Sequence, residues 1–513
     1  MVGLPADVYK YGITCTITLL VIPLVMLAGS FVFLPVFYNL QITSIYEYLS
    51  LRFCNKTRIF ASILFTIYLV LFLPIVTYVP ALALAQVTGA NIHWITPIVC
   101  IVCIFYTALG GLKAVVWTDV LQLIVMVGSL IMVLIAGIIS VGGFEVLFRK
   151  SYEGNRLDVS FDINPLIRDT FWTAFIGNFF MYANHINVSQ SFVQKCLALP
   201  SYRAVKIATS IAIIGITLLT GLSQFIGLVL FANYFECDPL EDGVIASHDQ
   251  LLPLFLMEVA HFMPGLAGLF VSGIFSAALS TLSAALNCLA ATVYEDFISS
   301  CVPRNTSQKR IGCYLKILVV VMGIISMLLV YIVEQLEGLW PLTFSFAGVT
   351  SGPLLGLFSV GMLIPMVNEK GALSGSIITF LLMIWIVMKS QWYRFNKMIF
   401  NPILPVTTNG CNGISPRSID ESITQMSNIN NTLNTNEVFV PHPIYRVSMF
   451  WYTFMGFCIF VVVSVVVSTF TNTNKPVKKD RIAPFMQRFL KMNEEGYAKY
   501  DSVDNAIELT NAH

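Results

Sequence analysis

The chain has 513 residues, of which 57% are hydrophobic and only 11% are charged, and its formal net charge is +1. A soluble globular domain is usually about 25% charged, so this composition excludes an ordinary soluble globule and predicts a polytopic protein of the lipid bilayer. The sequence contains no basic stripe with interleaved aromatics, and we therefore expect no nucleic-acid partner.

Sequence motifs of common enzyme classes are also missing. There is no glycine-rich phosphate loop, no paired-histidine metal motif and no convincing nucleophile elbow. Most of the 11 cysteines lie inside apolar runs, where small core residues are expected and metal ligands are not. We therefore predict a protein that is not an enzyme and that needs no cofactor.

Runs of about 20 apolar residues predict helices that cross the bilayer, because that length spans its hydrocarbon core. The expected fold is all-α, with about eleven full transmembrane helices. They are expected near 13–38, 59–88, 94–111, 117–142, 170–195, 206–233, 264–293, 312–334, 339–366, 371–389 and 447–471. A tight turn over 106–119, which contains Gly110 and Gly111, is expected to join the third helix to the fourth.

Lysine and arginine residues in short loops indicate the orientation of the spans. Arg52 and Arg58 follow the first span, whereas the short loops around 89–93 and 335–338 carry neither residue type. The C-terminal tail at 472–513 is therefore expected in the cytoplasm. The loops on the external side are expected at 143–169, 234–255 and 390–446.

Two features fit the external position of these loops. Asn430 lies in a stretch rich in Asn, Thr and Ser, and it begins an Asn-Asn-Thr acceptor pattern for glycosylation. Cys237 and Cys411 are the cysteines of the external loops, so they are candidates for a disulfide, with two free thiols as the alternative. Both features suit a multi-pass protein of the plasma membrane.

Polar residues are concentrated in the span expected at 170–195. The stretch 182–190 contains His185 together with Asn184, Asn187 and Gln190. So many polar groups suit a broken helix that lines a cavity, which makes the three amides candidates for substrate contact. The alternative is a helix–helix interface joined by amide hydrogen bonds. At His185 we expect a structural histidine and no proton relay.

The span expected at 339–366 contains two further signals. Gly352, Pro353 and Gly356 are expected to interrupt the helix and to form a bend or hinge. Phe344 and Phe346 lie toward its external half, where one or two aromatics are candidates to gate a substrate cavity and most others pack.

The helix expected at 264–293 is apolar but carries hydroxyl groups, among them Ser280 and Thr281. With the carbonyl of Ala277 one turn earlier, these hydroxyls are candidate ligands for a small hard cation such as Na⁺. The alternative is that each hydroxyl bonds a carbonyl of its own helix. Asp and Glu are missing from the depth of the spans, which argues against a pump driven by carboxylate protonation.

Several motifs, taken in this order, resemble the sodium:solute symporter family, in its branch of monocarboxylate, multivitamin and iodide symporters. Any one of them is weak evidence, but the series runs through roughly residues 1–390. The matching stretches are 43–53, 78–82, 106–119, 190–195, 237–240, 249–253, 264–266 and 352–356.

The resemblance implies a broken-helix transporter fold built from two inverted repeats of five helices. It implies that Ala277, Ser280 and Thr281 form half of the principal sodium site, with Na⁺ as the coupling ion. The substrate cavity would draw on the broken helix and the hinge span, and Tyr78, in a matching stretch, is a further candidate. The implied divisions are 1–142 for the first repeat, 143–169 for a loop, 170–366 for the second repeat, 367–471 for additional spans and 472–513 for the tail.

The expected function is sodium-coupled symport of a small organic anion, a monocarboxylate or a vitamin acid, across the plasma membrane by alternating access. A symporter of iodide or another small anion is one alternative. A truncated, non-transporting sensor or regulatory protein is another. This second alternative follows from one difference between this sequence and the family pattern. Family members begin with an extra span and a broken helix, whereas residues 1–9 match only the external end of that helix.

Overall fold

The computed structural model describes residues 2–42, 44–260, 265–303, 306–334, 339–396, 398–399, 401–411, 441–471 and 477–489. Asn430, the candidate glycosylation site, lies outside these residues, as do most of the predicted loop 390–446 and most of the predicted tail. Helices make up most of the described chain, as the all-α prediction expects.

Nine helical segments among the described residues are long and apolar enough to cross a membrane. Together with the shorter helices, the elements in chain order are α1 (Gly3–Tyr11), α2 (Ile13–Leu40), α3 (Ile45–Arg52), α4 (Asn55–Thr88), α5 (Ile92–Val141), α6 (Phe144–Glu153), α7 (173–187), α8 (Gln190–Leu197), α9 (Tyr202–Asn233), α10 (Leu251–Ala260), α11 (Leu266–Ile298), α12 (Gln308–Val333), α13 (Leu339–Leu363), α14 (Glu369–Phe395) and α15 (Met449–Thr471). The first arm of α5, Ile92–Ala108, and the pair α7–α8 supply the two remaining predicted spans. Each of the eleven predicted transmembrane helices thus has a helical counterpart.

The spans are helical because hydrocarbon offers no water to backbone N–H and C=O groups, and a helix satisfies these groups internally. The end of α4 is set by Gly89, whose φ of +70° is a left-handed conformation that glycine adopts at low cost. The largest buried cluster joins α2, α4, α11 and α13, and α11 also packs along α5. The helix with the candidate sodium ligands is therefore central in the bundle.

The tight turn predicted over 106–119 is wrong in one respect. Helical backbone continues through all of α5, so no non-helical loop separates the spans predicted at 94–111 and 117–142. The sequence after Pro97 contains no proline up to Val141, and each glycine costs a helix only about 1 kcal/mol relative to alanine. Gly110 and Gly111 therefore do not end the helix.

The predicted broken helix is present as α7 and α8. α7 contains two π-helical turns, Thr173–Gly177 and Ala183–Asn187, and the chain leaves helical geometry at Val188 and Ser189 before α8 begins. Wide turns and a break leave backbone groups that, in a bilayer, need partners from the protein or from a cavity. The structure confirms an irregular helix where the polar residues are concentrated.

The helix α13 is continuous through Gly352, Pro353 and Gly356, so it is not interrupted there, and a bend or hinge at these residues stays a prediction. The two glycines permit close packing against α15. A Cβ atom on Gly352 would lie 2.7 Å from the Cα atom of Gly456, and one on Gly356 would overlap the ring of Phe460. Two helix backbones can approach this closely only where side chains are absent.

The C-terminal end of α1 lies beside two joined segments. Cys237 and Cys411 form a disulfide, with their Cα atoms 5.0 Å apart, which links the loop after α9 to the segment 401–411. The neighbouring Asp238 accepts a hydrogen bond of 2.6 Å from the hydroxyl of Tyr9 in α1. The disulfide therefore lies beside a direct contact with α1.

Candidate functional site

Ala277, Ser280 and Thr281 lie near the middle of α11. The hydroxyl of Thr281 donates a hydrogen bond of 2.9 Å to the carbonyl oxygen of Ala277, which is the bond expected by the alternative interpretation of this pair. The same bond holds a hydroxyl and a carbonyl oxygen side by side. A rotation of the hydroxyl proton would leave both oxygens free to face a cation.

Ser280 has a partner from a distant part of the chain. Its hydroxyl donates a hydrogen bond to Oδ1 of Asp119 at 2.5 Å, and Oδ2 of the same carboxylate lies 3.1 Å from Nζ of Lys195. Asp119 lies near the start of the second arm of α5, Trp117–Val141, and Lys195 lies in α8. Charge-assisted hydrogen bonds of this kind are roughly twice as strong as neutral ones. Ser280 thus contacts a carboxylate, and its neighbour Thr281 contacts a carbonyl of its own helix.

The sequence places Asp119 only at the end of the predicted turn over 106–119, and it places Lys195 only at the end of the matching stretch 190–195. Neither residue is close in sequence to α11, so periodicity gives no reason to place them beside Ser280. One signal was available, because Asp119 is the single acidic residue between residues 92 and 141. An isolated acid in a long apolar segment is a candidate for a functional contact.

A cavity of about 720 Å³ lies beside Asp119 and Lys195. Its lining is mainly apolar, and its other polar residues include Gln194, Asn287 and Lys316. Nδ2 of Asn287 is buried and has no hydrogen-bond partner among the described residues.

Each amide candidate of the broken helix is hydrogen-bonded to a different helix. Nδ2 of Asn184 donates to Oγ of Ser351 in α13 at 3.0 Å, and Nδ2 of Asn187 donates to a carbonyl of α2 at 3.0 Å. Oε1 of Gln190 accepts a hydrogen bond of 2.7 Å from the first backbone N–H of α3. These bonds match the interface alternative, and substrate contact by the three amides stays a prediction.

The aromatic candidates lie in two separate places. Tyr78 and Phe346 pack on one small cluster that also contains Val333. Phe344 instead packs edge-on against Phe450, with ring centroids 4.9 Å apart, and it is only 3% exposed. Tyr78 and Phe346 are thus brought together as one candidate gate, whereas Phe344 lies in helix packing.

A buried charge cluster lies at the C-terminal end of α1. The guanidinium of Arg168 donates to the carboxylates of both Asp7 and Asp169, and the ring of Tyr11 lies 3.6 Å from the guanidinium carbon. Burial raises the pKa of Asp169 to about 6, because the ionised form loses its hydration, and the charge of Asp7 adds to this effect while Arg168 opposes it. With both acids ionised, the cluster carries one net negative charge.

Comparisons with known proteins agree with this architecture. The model of the sodium:solute symporter family matches residues 1–379. Sodium-coupled monocarboxylate transporter 2 of Mus musculus is 40% identical over 412 residues, which cover 80% of this chain and 66% of that protein. The Danio rerio protein of the same name is 36% identical over 496 residues, which cover 96% of this chain and 77% of that protein.

A putative sodium-dependent multivitamin transporter of Drosophila melanogaster is 34% identical over 464 residues, which cover 90% of this chain and 75% of that protein. The aligned region spans about two thirds to three quarters of the length of these relatives.

Among solved structures, a substrate-bound, outward-open Na⁺-coupled sialic acid symporter matches with a TM-score of 0.70 and 22% identity, over 91% of this chain and 85% of that one. At this identity the likeness shows the fold alone, and the fold is the predicted helical transporter fold. Because the family model covers most of the sequence and relatives above 30% identity cover nearly all of it, the chain belongs to the sodium:solute symporter family.

Proposed function

We propose that this chain carries out sodium-coupled symport of a small organic anion, a monocarboxylate or a vitamin acid, by alternating access. The observation that carries the proposal is the contact of Ser280 with Asp119, next to the paired oxygens of Ala277 and Thr281. Hydroxyl, carbonyl and carboxylate oxygens are the ligands that hard cations prefer. Relatives whose names describe sodium-coupled transport of monocarboxylates and vitamins support the same class of activity.

In this proposal Na⁺ competes with Lys195 for the carboxylate of Asp119. The ammonium now lies 3.1 Å from that carboxylate, and a bound Na⁺ would take over part of its charge compensation. Because Lys195 belongs to α8, its release loosens a tie between the broken helix and α5. Sodium occupancy is thereby coupled to the position of the broken helix, which is the differential contact that a ligand-driven change of state requires.

The anion is proposed to bind beside the break at 188–189. Half-helix ends near the middle of a bilayer present free N–H groups and a partial positive charge to anionic groups. The sodium ion adds a full positive charge to the same region. The two ligands therefore attract each other, which explains why neither would be carried well alone.

The topology follows from the same proposal. The plasma membrane is the proposed location, with the tail at 472–513 in the cytoplasm and Asn430 glycosylated outside. The two inverted repeats are proposed to occupy 1–142 and 170–366. Lysine and arginine are enriched in one set of short loops, and this enrichment supports the orientation.

The test is uptake of radiolabelled L-lactate, biotin and iodide by cells that express the chain, in sodium and in choline medium. We expect saturable uptake of at least one acid in sodium only. Equal uptake in choline medium would contradict sodium coupling. Uptake of iodide alone would show that the substrate is an inorganic anion and not an organic acid. No sodium-dependent uptake of any probe, despite surface expression, would favour a non-transporting role.

The ion site is tested by the double variant Ser280→Ala, Thr281→Ala. We expect the half-saturating sodium concentration to rise about thirtyfold, because two oxygen ligands are lost and each removes about 1 kcal/mol. Ser272→Ala is the matched control, since its hydroxyl bonds the carbonyl of Leu269 in the same helix. An equal loss in both variants would point to damage of α11 and not to an ion site.

A further inference from the structure

His185 occupies a special position in the broken helix. It lies in the π-helical turn Ala183–Asn187, directly before the chain leaves helical geometry. Its ring packs against Tyr68 near the middle of α4, with centroids 5.4 Å apart. Asn187, two residues later, bonds a carbonyl near the middle of α2. His185 is therefore held at the middle depth of the bundle, at the same level as the break.

The two ring nitrogens of His185 differ in their surroundings. Nδ1 lies 3.4 Å from the hydroxyl of Tyr68, which is within hydrogen-bond distance. Nε2 is buried and has no hydrogen-bond partner among the residues that the structure describes. A phenol hydroxyl that donates to Nδ1 leaves the ring proton on Nε2. The ring then has one buried N–H donor without a hydrogen-bond acceptor among the described residues.

An unpaired polar group at this depth is costly, since its hydration is lost and no protein partner replaces it. A ligand that accepts the hydrogen bond would recover that free energy. The same helix offers a second unpaired polar atom, because Oδ1 of Asn184 is also buried without a partner among the described residues. Two adjacent unsatisfied side chains beside a helix break indicate a place where a polar ligand enters.

We propose that Nε2–H of His185 donates a hydrogen bond to the carboxylate of the transported anion, and that Tyr68 positions the ring for this contact. This inference rests on the proposed function and names the contact that selects a carboxylate. A neutral imidazole is sufficient, because a donor and the sodium charge together replace the arginine or lysine that many carboxylate sites use. A halide, which accepts hydrogen bonds less directionally, gains less from the same donor.

The experiment measures sodium-driven uptake of L-lactate and of iodide at saturating sodium for His185→Phe, His185→Gln and Tyr68→Phe, with surface expression quantified. Phenylalanine keeps an aromatic ring but has no donor, and glutamine keeps an N–H donor. His93→Gln is the control histidine, since it lies at the outer end of α5 with its side chain 52% exposed. It is expected to leave uptake unchanged.

We expect His185→Phe to raise the KM for lactate about ten- to a hundredfold, because a hydrogen bond to a charged group is lost. The half-saturating sodium concentration, measured at saturating lactate, is expected to change less than twofold. His185→Gln is expected to recover part of this loss. Tyr68→Phe is expected to raise the lactate KM by a smaller factor. It removes the hydroxyl that keeps the ring proton on Nε2, but the imidazole can still donate a hydrogen bond.

An unchanged lactate KM in both His185 variants would overturn the proposal while leaving sodium-coupled transport intact. A parallel loss of sodium affinity, or failure of both variants to reach the surface, would assign His185 a structural role and overturn it too. Absence of sodium-driven uptake in the unaltered chain would instead overturn the proposed function itself.

Discussion

The hydroxyl of Ser280 and the carboxylate of Asp119, which are 161 positions apart in the sequence, share a hydrogen bond of 2.5 Å. This bond joins the centre of α11 to the start of the second arm of α5. It brings a full negative charge to a helix whose own candidate ligands are all neutral. A cation site that contains a carboxylate binds Na⁺ more strongly than hydroxyls and a carbonyl alone.

Asp119→Asn is therefore expected to weaken sodium binding. Asparagine can still accept the hydrogen bond from Ser280, but the charge that attracts Na⁺ is lost. We expect the half-saturating sodium concentration for uptake to rise about tenfold or more, with a smaller effect on the maximal rate. Asp480→Asn, at an exposed acid near the tail, is the control.

Lys195→Gln is expected to lower the half-saturating sodium concentration, because the ammonium is proposed to compete with Na⁺ for Asp119. Removal of the positive charge leaves the Asp119 carboxylate without its present partner at 3.1 Å, so sodium should bind at lower concentration. An Asp119 variant with normal sodium dependence would exclude the carboxylate from the ion site. If the Lys195 variant also needs more sodium, then Lys195 stabilises the ion site and does not compete with Na⁺.

Gly352→Ala is expected to destabilise the packing of α13 on α15. The new Cβ atom would lie 2.7 Å from Cα and 2.9 Å from the carbonyl carbon of Gly456, and a backbone contact cannot be relieved by a side-chain rotation. Overpacking of this kind costs about 1–3 kcal/mol. The apparent melting temperature of the purified protein in detergent should fall.

Gly268→Ala is the matched control in α11, since nothing lies within 4 Å of its Cβ position. It should leave the melting temperature unchanged or slightly raised, because alanine favours a helix over glycine. If Gly352→Ala reduces uptake while the melting temperature stays constant, a hinge at this glycine explains the result better than packing.

The charge cluster at the C-terminal end of α1 predicts a dependence of stability on pH. Folding raises the pKa of Asp169 to about 6, compared with about 4 in an unfolded chain, so the folded protein binds this proton more tightly. The resulting stabilisation is present below about pH 4 and is lost as the pH rises through 6. The apparent melting temperature should therefore be higher at pH 5 than at pH 7.5.

Asp169→Asn should flatten this dependence and stabilise the protein at pH 7.5, because Arg168 then balances the single charge of Asp7. Asp162→Asn, at an exposed acid in the same loop, should keep the dependence of the unaltered chain. If the unaltered protein is equally stable at both pH values, Asp169 is ionised throughout the range and the cluster does not bind a proton.

The sequence is informative where a signal is local. Eleven apolar runs predict eleven helical segments, because each run must satisfy its own backbone in hydrocarbon. The polar stretch around Asn184 predicts an irregular helix, and the structure has one. Ser280 and Thr281 stand out because hydroxyls are unusual in so apolar a helix. Each of these inferences needs only residues within a few turns of one another.

Tertiary structure decided the features that depend on distant partners. Asp119 becomes part of the candidate ion site only because α5 packs along α11. Gly352 permits close helix packing because Gly456 lies opposite it. The motif at 352–356, which predicts an interruption when it is considered alone, lies in a continuous helix. Hydrophobicity and helical period determine which residues enter the bilayer and as what element. Which side chains then meet is determined by how the helices pack, and that depends on the whole chain at once.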